Sequence, residues 1–296
     1  MPTLAATHSG PFHADDVLAW ALIKTFYDAD ATLLRSRDPD ALQKADIVFD
    51  VGGTFDPKIR RFDHHQHDYT GPLSSAGMVL GWLQEQAHID DDLAELLRER
   101  LVNYVDAVDN GRQTPDPTIP CFPQIVGTLN SGCIELADFD DSFLCAGEVA
   151  RQFVEGIASG LREQKAGAAA VVDAMDVAAA AGSNLLFLDR YHRWKHTYFE
   201  HGGVEHPTEF VVHPGVDGRW RAVAVPPIPG SFAQKRPFPE SWAGLRDGAL
   251  AAVTGAAGAR FCHKNRFIAV FDTRAETLEA MARFGLIVGP LPDQNQ

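Results

Sequence analysis

Apolar residues at the start of the chain come in short blocks, each closed by a polar turn. Residues 3–7 read as a strand leading to His8, and the Gly10-Pro11 pair after it marks a loop. Asp15 or Asp16 can cap a helix carried by Val17, Leu18, Trp20, Ala21, Leu22 and Ile23. Residues 31–34 suit a second strand, and Asp38-Pro39-Asp40 opens a short helix with Pro in its first turn. Ile47-Val48-Phe49-Asp50-Val51 is an almost unbroken apolar block that stops at Gly52-Gly53. Such a block suits a strand covered on both faces, as in a parallel sheet.

Helical periodicity then takes over. Residues 74–87 form an amphipathic helix capped by Ser74 or Ser75, and residues 90–108 form another, stopped by Asp109-Asn110-Gly111. Residues 112–121 are a Pro-rich loop, and residues 139–181 are helical throughout. The composition changes at Gly182-Ser183-Asn184. Beyond it, residues 185–188 read as a strand, 211–213 and 219–225 as a hairpin pair, 226–239 as irregular, 240–250 as helix and 268–271 as strand. This order predicts an α/β protein. Residues 1–182 are expected to form a doubly wound, mainly parallel sheet domain, and residues 183–296 a smaller α/β domain.

Composition narrows the class. The 296 residues are 45% apolar and 22% charged, which is ordinary for a globular chain with ample core. A net charge of −14 argues against broad electrostatic adhesion to nucleic acid or an anionic membrane. It leaves room for anionic substrates held through metal ions. Cys121, Cys133, Cys145 and Cys262 form no CxxC pair and read as free thiols of a reducing compartment. No basic leader followed by an apolar run is visible, and no apolar stretch reaches about 18 residues. The expected location is cytoplasmic, without a membrane.

The chemistry gathers around Phe62-Asp63-His64-His65-Gln66-His67. Histidine and aspartate are the usual nitrogen and oxygen ligands of catalytic divalent ions. Adjacent histidines do not share a face on a regular strand or helix, so a site using both needs a loop or a cavity fed from two sides. The plain alternative is a His-rich surface turn. His8, His13, Asp15, Asp16 and Asp50 shift the balance, because each group sits at a predicted strand end or in the loop just after one. In a doubly wound sheet those positions converge on one edge. Several N/O ligands there suggest two divalent ions sharing carboxylates. With no cysteine involved and several imidazoles, Mn²⁺ is favoured, with Mg²⁺ as the alternative. Paired ions lower the pKa of a bridging water and neutralise an anionic leaving group, which suits attack on phosphorus. No P-loop pattern is present.

The pattern His8…His13-x-Asp15-Asp16, the run Asp50-Val51-Gly52-Gly53 and Asp63-His64-His65-Gln66 resemble the DHH phosphoesterase superfamily. Within it the chain resembles the MYG1 family of metal-dependent exonucleases, and the likeness runs through Ser74-Ser75-Ala76-Gly77, the segment 105–111, Trp194-Lys195, the segment 235–247 and Phe261-Cys262-His263. The resemblance implies two α/β domains around an active-site cleft, Mn²⁺ or Mg²⁺, and 3′-5′ exonuclease activity on single-stranded RNA. By position, His8, His13 and Asp15 resemble a first ligand group, Asp50 a bridging carboxylate, and His64 a further ligand. His65 resembles a ligand or a contact to the scissile phosphate. The last ligand is an aspartate after a helix, and both Asp106 and Asp109 qualify. The chain departs from the superfamily at His13, where many members carry aspartate. His65 and Asp63 are the expected catalytic pair, with Asp63 also read as orienting a histidine.

Lys235 and Arg236 are candidate phosphate grips, since Arg holds phosphate through a bidentate fork, and His263 is a further candidate. Burial of Trp242 is expected over base stacking. Three functions compete: an exonuclease on single-stranded RNA or oligonucleotides, a hydrolase of pyrophosphate or short oligonucleotides, and a metal-binding interaction protein without turnover. A homodimer is compatible with the sequence.

Overall fold

Ala5, Ala6, Ile47, Val48 and Phe49 are all buried, as strands covered on both faces require. They lie in β1 (Leu4–Thr7) and β3 (Ile47–Phe49) of a computed structural model that describes residues 1–290. Two compact units are present, Met1–Ser159 and a second that begins at Gly160. The chain is α/β with two mixed sheets.

The first unit contains α1 (Ala14–Phe26), β2 (Thr32–Arg35), α2 (Pro39–Leu42), β4 (Phe55–Asp56) and β5 (Arg61–Phe62). Its sheet has the order β2-β1-β3-β5-β4. The first four strands of that order are mutually parallel, with Ala5 beside Leu33 and Ile47, and Phe49 beside Phe62. β4 runs antiparallel to β5 at the edge. The two-residue strands β4 and β5 are too short to show alternation in sequence. Side chains alternate between the faces: Ala5, Ile47 and Phe49 join the main core, whereas Ala6 and Val48 pack with Leu42 and Ala45.

The main core is helical. α1 buries every residue from Ala14 to Ile23. It packs with α3 (Ser75–Glu85), which starts at Ser74 as the sequence predicts. The predicted helix over 90–108 is α4 (Asp91–Leu97) and α5 (Asn103–Asp109), joined by a π-helical turn over Arg98–Val102. Such turns are rare, so a pattern built on 3.6 residues per turn misses them. After the Pro-rich loop comes α6 (Phe122–Leu129), which the sequence reading left out. Pro123 near its first turn is compatible with a helix start. α7 (Leu136–Ala180) is the predicted long helix.

The second unit contains β6 (Leu185–Phe187), α8 (Trp194–Glu200), β7 (Phe210–Pro214) and β8 (Trp220–Ala224). They are followed by α9 (Asp247–Thr254), β9 (Ala259–Cys262), β10 (Ile268–Phe271) and α10 (Arg274–Arg283). The sheet order is β6-β7-β8-β10-β9, with only the β6–β7 pair parallel. β7 and β8 form the predicted hairpin. The helix expected over 240–250 is instead a 3₁₀ turn at Glu240–Trp242, a bend at Gly244 with φ +73°, and α9. Fully buried Trp242, stacked on Phe238, decides the outcome, because tertiary packing overrides local propensity.

Candidate metal centre

Every group in the centre is delivered by the end of a strand or helix. β1 delivers His8. The loop after it presents His13 just before α1, whose first turn carries Asp15 and Asp16. Asp16 Oδ1 accepts from the backbone N–H of His13 (3.0 Å) and of Val17 (2.8 Å), which ties the loop to the helix start. Both carboxylates are fully buried at the positive end of the helix dipole. Asp50 follows β3 in the left-handed region, φ +57°, a conformation that costs roughly 1–3 kcal/mol and concentrates at functional sites. Its N–H donates to Phe62 O (3.0 Å) and its Oδ1 accepts from Ser75 Oγ (3.1 Å), so β5 and α3 hold the strained residue in place. β5 then leads directly to Asp63, His64 and His65, and α5 ends on Asp109.

The side chains meet closely. His8 Nε2 lies 3.1 Å from Asp16 Oδ2 and 3.3 Å from Asp50 Oδ2. His64 Nε2 lies 3.0 Å from Asp109 Oδ2, 3.3 Å from Asp50 Oδ1 and 3.6 Å from Asp15 Oδ2. Four overlapping triads have ligand atoms within 4.8 Å of one another: His8, His13 and Asp50; Asp50, His64 and His65; His13, Asp15 and Asp109; and Asp15, Asp16 and Asp50. Asp50 belongs to three of them. Its position between the two histidine groups is that of a carboxylate able to serve two ions.

The electrostatics ask for cations. Neither oxygen of buried Asp15 has a hydrogen-bond donor, and its carboxyl is pushed well up by burial and by the charges of Asp50, Asp109 and Asp16. Burial likewise raises Asp16, with His8 opposing it. Burial alone would raise Asp50, but hydrogen bonds from His64 and His8 hold it well below the usual carboxylate range. His8 rises to about 9: burial pulls it down, and Asp16 and Asp50 outweigh that. His64 rises to about 10 in the same way, through Asp109 and Asp50. Buried, unpaired carboxylates are costly unless protonated or neutralised. A divalent ion could supply that neutralisation, and these His and Asp side chains are of the types that hold one.

The structure separates the two aspartates of α5. Asp109 stands in the cluster. Asp106 does not: its Oδ1 accepts from Ser74 N (3.0 Å), Ser74 Oγ (2.6 Å) and Gly77 N (3.2 Å), anchoring the first turn of α3. It is absent from the metal-capable triads. Of the two candidate aspartates, the geometry therefore favours Asp109 as the ligand, since Asp106 Oδ1 is taken up by three structural hydrogen bonds.

Asp63 is buried and also lies outside the triads. Its Oδ1 is 2.8 Å from His65 Nδ1, and its carboxylate also accepts from the N–H groups of Gly53 and His65. Those hydrogen bonds keep it below the usual range against the effect of burial. It orients His65, whose side chain is 60% exposed and so accessible from solvent. Asn110 was missed by sequence reasoning. Its Oδ1 lies 3.3 Å from His64 Nδ1, and its Nδ2 donates to Asp106 O (3.0 Å). With Nδ1–H donating to that oxygen, Nε2 is left as the nitrogen that faces the carboxylates. In sequence Asn110 shows as part of a helix stop and of the family-like segment 105–111, with nothing that ties it to His64.

The second-unit candidates fare differently. Lys235 Nζ donates to Gly203 O (2.7 Å), His206 O (2.7 Å) and Tyr198 Oη (3.1 Å), so all three ammonium hydrogens are used. Arg236 is committed to Glu209 Oε2 (3.2 Å) and Gly285 O (2.7 Å). Lys235 therefore has no donor to spare for a phosphate, whereas Arg236 ties Glu209, just before β7, to the segment after α10 and keeps further N–H groups. His263 Nδ1 accepts from Asn265 N (3.0 Å) and its ring packs on Phe267. Trp242 is core, as expected.

A family model described as MYG1_exonuc, Uncharacterised protein family (UPF0160), matches residues 4–286. The chain belongs to the MYG1 family. The MYG1 protein of Chlamydia pneumoniae is 36% identical over 283 residues, covering 95% of this chain and 96% of that one. The MYG1 protein of Chlamydia trachomatis is 37% identical over the same length. The human MYG1 exonuclease is 32% identical over 329 residues, covering 95% of this chain and 85% of that one. Among the described residues no helix is long and apolar enough to cross a membrane.

Proposed function

We infer that the chain is a metal-dependent phosphodiesterase, a 3′-5′ exonuclease acting on single-stranded RNA. One observation carries this: buried Asp15, Asp16 and Asp50, together with Asp109, converge with His8, His13 and His64 on one spot, and Asp15 has no hydrogen-bond donor at all. The exonuclease names of the mammalian relatives fit it. Residues 1–182, which include the whole first unit, are read as a DHH-like catalytic domain, and residues 183–296 as a substrate-binding domain. Residues His8, Asp16 and Asp50 would hold one side of the centre, and His13, Asp15, His64 and Asp109 the other. Two divalent ions, Mn²⁺ before Mg²⁺, would when bound activate water for attack on phosphorus and neutralise the departing oxygen.

The chain's own contribution is positioning. Asp50 is fixed by β5 and Ser75, so the two histidine groups keep their spacing. Asn110 orients His64 so that Nε2 faces the carboxylates. Asp63 accepts from Nδ1–H of His65 and raises its pKa, which favours the imidazolium form, whose exposed Nε2–H can donate a proton or a hydrogen bond to a phosphate oxygen. The internal bonds of Lys235 favour a second reading, in which short oligonucleotides or pyrophosphate are the substrates, because one cation expected to hold a longer backbone has all three N–H groups spent. The test is Mn²⁺-dependent release of mononucleotides from a labelled single-stranded RNA, beside a dinucleotide and pyrophosphate, with Asp50→Asn as comparison. Release that needs both Mn²⁺ and Asp50 supports the proposal. Undiminished release by Asp50→Asn protein overturns it.

A further inference from the structure

A cavity of about 380 Å³ in the first unit shares two walls with the centre, His13 and Asp109. The rest of its lining has a different character. Val108 and Pro115 are apolar, Pro123, at the start of α6, adds a second ring face, and Phe12, 1% exposed and edge-on to Phe143, backs the wall from the core. Gln124 is the one uncharged polar side chain in the lining, and its Nε2 donates to Asp116 O (3.0 Å). That bond fixes the amide and leaves its carbonyl oxygen as an acceptor. Gly127 completes the wall, and a Cβ placed on it would meet nothing within 4 Å.

The geometry points to this cavity as the seat of a single nucleoside, the terminal one of the chain whose adjacent phosphate lies at the metal centre. This inference rests on the phosphodiesterase reading. Three features carry it. The cavity opens directly beside two metal-capable side chains, so an occupant would be covalently close to a phosphate held there. Its apolar and Pro faces suit the π-face of a base of any identity, as sequence-tolerant sites do. Its volume is at the small end for ligand pockets, matching one nucleoside and not an oligonucleotide. A site with room for one nucleoside next to the phosphate selects chain ends. The Gln124 acceptor would take a hydrogen bond from a sugar hydroxyl or a base amino group.

The open space at Gly127 makes a clean test. Gly127→Leu would fill the cavity from a helical position that tolerates a side chain, and Gly127→Ala, with one methyl, is the milder companion whose fold is not in question. On the Mn²⁺-loaded full chain, Gly127→Leu is expected to lower kcat/KM for single-stranded RNA by about tenfold or more, within the range a lost base stack is worth. Gly127→Ala should fall between it and wild type, and Mn²⁺ stoichiometry should be unchanged in both. A second arm measures binding of adenosine 5′-monophosphate against inorganic phosphate. Wild type should prefer the nucleotide, and Gly127→Leu should lose the preference. Unchanged kcat/KM in Gly127→Leu protein overturns the pocket and leaves the exonuclease standing. If wild type releases nothing from RNA, that earlier reading falls, and the binding arm alone decides the pocket: equal affinity of wild type for nucleotide and phosphate overturns it.

Discussion

Asp106 and Asp109 lie one helical turn apart, look alike in sequence, and should respond oppositely to mutation. Asp106→Ala removes the acceptor of three hydrogen bonds and strands the buried N–H groups of Ser74 and Gly77. An unsatisfied buried donor costs about 1–3 kcal/mol, so the loss should be about 3–5 kcal/mol for the two together with the hydroxyl. For a unit of this size each kcal/mol moves the melting midpoint by about 2–4 °C, which predicts a fall of about 6–20 °C. Asp106→Asn keeps the accepting oxygen and should cost only about 1–2 kcal/mol. Gly77→Ala should resemble Asp106→Ala, because the new Cβ would sit 2.3 Å from Asp106 Oδ2. None of these should alter the number of Mn²⁺ ions bound by protein that is still folded. Asp109→Asn gives up the pairing with His64 but relieves Asp15 of a like charge, so it should move the metal-free melting midpoint less than Asp106→Ala does, and it should weaken Mn²⁺ binding by at least about tenfold, the lower end of the cost even of a supporting group at a metal site. Calorimetric melts and Mn²⁺ titrations of the four variants suffice. Loss of an ion by Asp106→Asn, with full affinity retained by Asp109→Asn, would refute the assignment.

Further outcomes follow from the same geometry. Asp15→Asn should raise the melting midpoint in chelator, by removing a buried carboxylate that has no donor, yet shrink the rise that saturating Mn²⁺ gives wild type; a lower midpoint in chelator would contradict the electrostatic account. Asn110→Ala should weaken Mn²⁺ binding by about 10–100-fold through the freed His64 ring, and Asn110→Asp should restore much of it; equal binding by all three proteins would remove Asn110 from the site. In the second unit, burial and then the Lys235 charge hold His206 below the ordinary imidazole value, its ring set between Thr208 Oγ1 and Met175 O. A histidine kept neutral by folding contributes fully above the unfolded value of about 6.5, and that contribution is lost as pH falls through it. Melts of wild type should therefore drop more steeply than those of His206→Gln between about pH 7 and 5; parallel curves would show that His206 does not titrate as described.

What the sequence disclosed, and what it withheld, divides by range. The strand ends were legible because a continuous apolar block that stops at Asp50-Gly52-Gly53, or at His8, marks both a buried strand and the place where it opens to ligands. Helices α1, α3 and α7 were legible through their 3.6-residue pattern. The short strands β4 and β5 were not, since two residues carry no period, and neither was the π turn that separates α4 from α5. The site followed the same division. His8, His13, Asp15, Asp50 and His64 were expected together from type, place and the family resemblance, and the fold does bring their side chains together. The choice between Asp106 and Asp109 could not, because both lie on one face of α5 and only the partner of that face differs: the N-terminus of α3 for one, His64 for the other. The internal bonds of Lys235 and Arg236 were hidden for the mirror reason. A basic pair in a Pro-rich segment looks solvent-facing until the carbonyls of Gly203, His206 and Gly285 are known to lie around it. Residue type reports what a side chain can do, whereas its role at this site is set by which long-range neighbour reaches it first. That is why Asn110, read as a helix stop, is the residue whose function depended most on the fold.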